Sequence, residues 1–304
     1  MKLILKTINL VALSLTALLY SSCAYEEIPP STIIETFVSI PDSVFESKLI
    51  ELGVDSDGAI NHKILRSDAE QVTHLNLNLT ENTGIIGDLN GIEGFINLTF
   101  LSATGQDIQD IDLSFNTKLD TLFLGGNLLT NIDIDKNTNL VLLDVQANRL
   151  HTLTGLSNAE NLKKLNLSFN DFEEVSINNE SVEDLFMTHN LLQSIDLESA
   201  LSLKNIMLTT NELATIDPGT NMQLETLMIS DNNLSNINLE QNIKLSYLYI
   251  SSNALTGLDV SNNQALTDLR ADRNPGLTCI QIQRDQEIPS LSLSEYQELN
   301  DQCN

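Results

Sequence analysis

The sequence predicts a solenoid: short coils stacked along one axis, with a parallel β-sheet on one face. Three observations lead there. An asparagine recurs at Asn127, Asn148, Asn170, Asn190, Asn211, Asn232, Asn253 and Asn274, in steps of 21, 22, 20, 21, 21, 21 and 21 residues; Gln106 extends the series back by 21, and Thr80 marks a first, longer coil. A fixed period of that size marks a repeat architecture rather than a compact globule. Apolar residues hold constant places around that anchor. Aromatic residues make up only 5% of the chain and tryptophan is absent, so the core must be built from leucine, isoleucine and valine.

The columns are nearly pure. Eight residues before the anchor stand Leu98, Leu119, Leu140, Leu162, Val182, Leu203, Leu224, Leu245 and Leu266. Five before come Leu101, Leu122, Leu143, Leu165, Leu185, Ile206, Leu227, Leu248 and Leu269. An L-x-L step turns two side chains to the same side of a strand, so one strand per coil stacks into a parallel sheet. After the strand the chain must turn, and its backbone groups need partners inside. A buried asparagine carries donors and an acceptor, so it bonds backbone across the turn and in the next coil. Stacked, the eight anchors form an asparagine ladder. Each unit reads L-x-x-L-x-L-x-x-N-x-L, which resembles the leucine-rich repeat, in about ten coils over residues 74–276. "LTGLSNAENLKKLNLSFN", ending on Asn170, resembles the 22-residue form of internalin-like bacterial proteins.

The rest of each coil is also regular. "NIDID" at Asn131, "SIDLE" at Ser194, "NINLE" at Asn236 and "GLDVS" at Gly257 predict short extended segments on the back. A second asparagine column runs through Asn116, Asn137, Asn158, Asn221, Asn242 and Asn263. Asp112, Asp133, Asp196, Asp217 and Asp259 stand six residues after the anchor, with Thr154, Ser176 and Asn238 elsewhere in the column. Those substitutions favour turn-capping over a shared calcium ion. A solenoid needs its ends covered. Residues 37–73 are expected to form a helical N-terminal cap, with a Ser43–Glu46 capping box, an apolar face of Phe45, Leu49 and Leu52, and Gly53 as the stop. "DSDGAIN" at Asp55 lacks two oxygens of an EF-hand loop and reads as a turn beneath that cap. Residues 277–304 are expected to be the C-terminal cap.

The first 22 residues differ from all others. Lys2 and Lys6 precede an apolar run from Leu10 to Leu19 that is short for a membrane span, the layout of a secretory signal. Ser21-Ser22-Cys23 resembles the lipobox of bacterial lipoproteins, which implies that Cys23 is lipidated and becomes the first residue of the mature chain. Tyr20 departs from that pattern. Residues 23–36 then serve as a tether. Glu26 and Glu27 resemble the export signal of surface lipoproteins, which implies an outer-membrane lipoprotein exposed at the cell surface. With Cys23 carrying lipid, Cys279 and Cys303 remain as a pair, in an exported protein where disulfides persist. Closing about 25 residues, such a bond contributes ~3 kcal/mol in the chain-entropy model. Without Lys2 and Lys6, 13 basic residues face 42 acidic ones, a formal charge of −29, which excludes a nucleic-acid role.

The candidate site lies four residues before the anchor, where side chains leave the sheet on its front face. That column reads Ser102, Phe123, Asp144, Asn166, Phe186, Met207, Met228, Tyr249, Arg270. Phe186 to Tyr249 is an unbroken apolar stripe over four coils, roughly 14 Å long at the ~4.8 Å spacing of strands. Tyr247 widens it and His189 flanks it. Asp144, Asp184, Asp268, Arg270 and Arg273 are expected as its polar rim. Exposed stripes of this kind mark binding sites, and methionine suits adaptable contacts; cross-strand stacking for stability is the competing account. His62, His74, His151 and His189 have no metal-binding spacing, and no nucleophile elbow or phosphate loop occurs, so neither enzyme nor cofactor is expected. The expected function is protein binding by a membrane-anchored, extracytoplasmic protein, with a basic partner steered by the acidic field. The alternative is carbohydrate or cell-wall binding in adhesion or nutrient capture, with Phe186, Tyr247 and Tyr249 stacking on sugars. A third reading has the stripe as a self-association face.

Overall fold

The computed structural model describes residues 36–80 and 84–303. The signal segment 1–22, Cys23 and the tether as far as residue 35 lie outside the described residues.

Each L-x-L step forms a three-residue strand whose middle residue is buried while its neighbours face outward. Eleven strands join in one parallel sheet, in chain order from His74–Asn76 to Ser290–Ser292, and only in the last of them is the middle residue, Leu291, exposed. The first coil is longer, since Leu75 pairs with Leu101, 26 residues on. The eleventh strand comes from the segment expected to be the C-terminal cap. The buried columns fill the space between front and back, with Leu122, Leu143, Leu165, Leu185, Ile206, Leu227 and Leu248 fully enclosed. Burying one such side chain contributes about 2 kcal/mol relative to exposure.

The front asparagine column closes each turn in the same way. In Asn232, Nδ2 donates to the carbonyls of Ile229 in its own coil and Leu208 in the previous one, at 3.2 and 3.0 Å. Its Oδ1 accepts from the Leu213 N–H at 3.1 Å, also one coil back. Asn127, Asn148, Asn170, Asn190, Asn211, Asn253 and Asn274 repeat all three bonds. Sequence reading missed the residue before each anchor. Gly105, Gly126, Ala147, Phe169, His189, Thr210, Asp231, Ser252 and Arg273 all have positive φ, between 54° and 75°. The turn demands the left-handed conformation, and only the first two positions supply the residue that adopts it without cost.

The back is less regular. Asn131–Asp133 pairs with Thr152–Thr154, Glu174–Ser176 with Ser194–Asp196, and Leu258–Asp259, Cys279–Gln281 and Glu298–Asn300 form a third group. The segment at Asn236, expected to be extended, forms no strand. The second asparagine column is buried at Asn116, Asn137, Asn221, Asn242 and Asn263, but Asn158 is exposed and donates to Asp135. The extra residue of that 22-residue coil is absorbed in a 3₁₀ turn, Leu156–Asn158, which puts Ala159 in the ladder position. Asn179 and Ala200 follow it there, each buried. The acidic column caps turns: the Oδ1 atoms of Asp112, Asp133, Asp196, Asp217 and Asp259 each accept the N–H two residues ahead.

The N-terminal segment is a helix, Ser43–Glu51, beside an antiparallel pair, Phe37–Ser39 and Lys63–Leu65, and a short helix, Arg66–Ala69. Asp42, not Ser43, is the N-cap, accepting from the N–H groups of Val44 and Phe45. Glu46 is fully buried and accepts instead from the N–H groups of Asn61, His62 and Lys63, at 2.9, 3.0 and 3.2 Å. It therefore fixes the return of the chain rather than the helix start. Phe45 and Leu49 are buried as expected, whereas Leu52 is exposed because the helix ends there, with Gly53 left-handed at φ 70°. Asp55 Oδ1 accepts from the Asp57 N–H, a turn as expected, while its Oδ2 is buried without a hydrogen-bond partner. Cys279 and Cys303 are joined by a disulfide, tying adjacent back strands.

Candidate functional site

Strand register sets the candidate site. Phe186, Met207, Met228, Tyr249 and Arg270 are direct cross-strand partners in sequence, so the stripe is continuous. The four apolar residues are half-buried, Tyr247 is exposed beside them, and Arg270 is exposed at the end of the row. The middle of the row, Met207 and Met228, presents two flexible thioethers with no polar group between them.

Both rings at the ends of the stripe are already covered. The Arg270 guanidinium lies 4.0 Å from the centroid of Tyr249, whose hydroxyl donates to Asp268 at 3.0 Å. Lys164 Nζ lies 5.1 Å from the centroid of Phe186. Burial and the bond to Asp268 raise the Tyr249 hydroxyl above its ordinary range. Burial also pushes the Asp268 carboxyl up, but hydrogen bonds from Arg270 and Tyr249 outweigh it and hold that carboxyl below its usual range. This cluster of ring, cation and carboxylate is locked by its own contacts.

Next to it lies a hydroxyl-rich cavity of about 330 Å³ lined by Tyr249, Arg270, Asp272, Arg273, Ser251 and Asp231. Arg273 pairs with Asp272 at 2.9 Å and donates to Ser252. Asp144 and Asp184 accept from Asn166 and Asn205 across the strands, at 3.0 and 2.7 Å, so those rim acids also hold neighbouring coils. Glu183 bridges Lys163 and Lys204, which hold its carboxyl below the usual range by hydrogen bonding and charge.

His189 is not on the sheet surface. It occupies the left-handed position of its turn and stacks on Phe169, centroids 4.4 Å apart. Phe169 is exposed and went unmarked in the sequence. A second aromatic group lies at the other end of the front face, where His74 stacks on Phe100 at 3.9 Å and Phe100 tilts against Phe123 at 5.8 Å. Its signal was available: the outward column six before the anchor opens with His74 and Phe100. Asp144, Asn166 and Lys164 separate this group from the stripe. Among the described residues no set of three or more His, Cys, Asp or Glu is placed to hold a metal ion, and no helix is long and apolar enough to cross a membrane.

With eleven parallel strands, a buried asparagine per turn and apolar columns on one period, comparison with known proteins becomes specific. The fold is that of the leucine-rich repeat proteins. No protein-family model matches the chain. The functional domain of InlJ from Listeria monocytogenes superposes with a TM-score of 0.72 at 24% identity, covering 88% of this chain and 64% of that one. That domain is described as including a cysteine ladder; here asparagines form the ladder. A structure of the LRIM1/APL1C complex gives a TM-score of 0.59 at 23% identity, over 77% of this chain and 47% of that one. Among curated sequences, rat lumican is 28% identical over 38% of this chain and 43% of its own length. The chain thus spans less than two thirds of the length of each of these three proteins.

Proposed function

We propose that this protein is a membrane-anchored, extracytoplasmic leucine-rich repeat protein that binds a protein partner on its front face. The observation that carries the reading is the in-register apolar row from Phe186 to Tyr249, half-open to solvent in a column that is otherwise largely polar. Interfaces of this kind centre on a few apolar anchors surrounded by polar groups that exclude water. Met207 and Met228 are the anchors, Tyr247 widens them, and the Asp268–Tyr249–Arg270 cluster gives a rigid polar border. The LRIM1/APL1C structure, itself a complex, offers a precedent on the same fold.

The net charge of −27 steers basic partners from a distance, with an attraction that falls as salt rises. The contact itself is mixed, because Lys164, Lys204, Arg270 and Arg273 also surround the stripe. Sugar stacking is less well supported: the faces of Phe186 and Tyr249 that a pyranose ring would cover carry Lys164 and Arg270. Anchoring through lipid on Cys23 and display at the outer-membrane surface belong to the proposal and rest on the N-terminal sequence. Radiolabelled palmitate incorporated into the native chain and not into Cys23→Ser would support them.

The test of the binding reading compares the native chain with a Met207→Asp, Met228→Asp double variant of equal thermal stability. Both are offered surface extracts and a glycan panel. A protein retained by the native chain and lost by the variant is the expected result. Equal capture by both forms would reduce the stripe to a stacking device within the sheet.

A further inference from the structure

The most exposed apolar row of the described repeats is not on the front face. Ten residues before the anchor the column reads Thr117, Thr138, Glu160, Glu180, Leu201, Met222, Ile243, Gln264. Leu201, Met222 and Ile243 are 48%, 54% and 62% exposed, in three consecutive coils. Each is pinned between fully buried positions: Ala200, Asn221 or Asn242 just before it, and Leu203, Leu224 or Leu245 two residues after. The backbone therefore holds these side chains outward on the turn that leads into the front strand. Threonine, glutamate and glutamine fill the same place in the other coils, apart from an isolated Ile96, so folding does not require an aliphatic there. A contiguous exposed row of this kind signals a contact surface.

We propose that this ridge is where two copies of the chain meet, side by side, about a two-fold axis parallel to the solenoid. Charge decides the partner and the orientation. Just before the ridge, toward the back of the solenoid, stand Glu198 and Glu240, with no basic residue among Glu198, Ser199, Gly219, Thr220, Glu240 and Gln241. Just after it, toward the front, stand Lys163, Lys204 and Lys244 against Glu183 and Glu225, with Glu183 paired to both Lys163 and Lys204. One flank is acidic and the other on balance basic, so the ridge carries its own complement. A two-fold axis along the ridge lays the acidic flank of one copy against the basic flank of the other, with Glu198 facing Lys204. It also sets Leu201, Met222 and Ile243 each against its own equivalent, the isologous arrangement that closes at two subunits. An axis across the ridge would instead oppose the two acidic flanks, which is repulsive. The parallel arrangement also points both N-termini the same way, as two chains tethered to one membrane require. Three aliphatic side chains per copy are a small core, below the standard interface of about 800 Å² per partner, so the association is weak and depends on concentration. Tethering on a surface supplies that concentration.

Cysteine crosslinking of the full chain tests this directly. Leu201→Cys, Met222→Cys and Ile243→Cys are oxidised separately, with the native chain and Met228→Cys on the front stripe as controls. Each ridge variant should give a disulfide-linked dimer with itself, well above both controls. Met222→Asp should weaken concentration-dependent sedimentation at least tenfold with an unchanged circular dichroism spectrum, since the side chain is exposed. The front-stripe double variant should dimerise like the native chain, so failure of the ridge and failure of the stripe are separate results. Crosslinking confined to Met222→Cys and to mixtures of Leu201→Cys with Ile243→Cys would overturn the parallel arrangement. Dimer yields no higher than the controls would overturn the contact. So would a ridge that binds phosphatidylcholine vesicles as a monomer and loses them on Met222→Asp.

Discussion

Asn232 and Asn242 are both buried ladder asparagines in neighbouring coils, and replacing each by alanine should cost very different amounts. In Asn232→Ala the Leu213 N–H loses the Oδ1 that accepts it, and buried N–H groups without a partner cost ~1–3 kcal/mol. The carbonyls of Leu208 and Ile229 each lose one bond but keep another, from Asn211 and Asn253. Adding about 0.5–1 kcal/mol for each of these two lost bonds gives about 2–5 kcal/mol in all. In Asn242→Ala no N–H is orphaned. The Pro218 and Asn221 carbonyls retain the backbone N–H groups of Asn221 and Leu224, and the buried Oδ1 that is removed had no partner. Ala200 already fills the equivalent position two coils before, fully buried. The cost there should be about 1 kcal/mol. Equilibrium urea unfolding followed by circular dichroism measures both, provided the slope is shared, because a solenoid can lose its all-or-none transition. Equal costs, or a larger one at Asn242, would refute the view that the accepted N–H dominates.

Two further outcomes follow from local geometry. Thr210→Gly should raise stability by about 0.5–1 kcal/mol, because φ is 60° and a β-branched residue pays for that conformation. Thermal melting reads it, and Thr209→Gly next door should lower stability instead. Asp55→Asn should melt higher at neutral pH: the side chain is 4% exposed, and burial raises its carboxyl despite the bond from the Asp57 backbone, with Asp57, Glu46 and Asp68 adding repulsion. Since the folded state holds the proton more tightly than the unfolded chain, the native protein loses stability as pH rises above 3.8 through the raised value. The advantage of the variant should therefore vanish in melts at about pH 3; an advantage that persisted there would assign the effect to packing.

The period, the front columns and the register of the stripe were legible because each is repeated many times, and a single deviant coil does not hide them. What escaped reading was set by contacts that no column displays. The left-handed position before each anchor holds alanine, phenylalanine, histidine, threonine, aspartate, serine and arginine, because hydrogen bonds on either side impose the conformation whatever the side chain. Asn158 looked like a ladder residue by counting, but one 3₁₀ turn moved the ladder to Ala159. Asp42 took the cap from Ser43 because its carboxylate reaches two N–H groups, and Glu46 was drawn inward by three others. The cation over Phe186, Lys164, comes from the next outward column of the neighbouring strand, a diagonal relation that a list of columns does not show, whereas Arg270 is the direct partner of Tyr249 in its own column.

The coil of 22 residues is followed by one of 20, so the front strands keep their pairing while the back falls out of step. Thr152–Thr154 and Glu174–Ser176 belong to separate two-stranded sheets, and a cavity of about 360 Å³ lies beside them, lined by Leu153, Phe172 and Val175. Mechanically this is a seam: a continuous ribbon of strands on one side, and on the other one of several gaps in the backbone pairing, which also lapses between Ser194–Asp196 and Leu258–Asp259. In the proposed anchored arrangement, a load between the tethered end and a captured partner would be carried by the front ribbon and would bend the rod about it at such gaps. The stripe and the ridge both lie beyond the seam, from Phe186 onward, so in that proposed arrangement the N-terminal coils would be a stalk and the C-terminal coils a head.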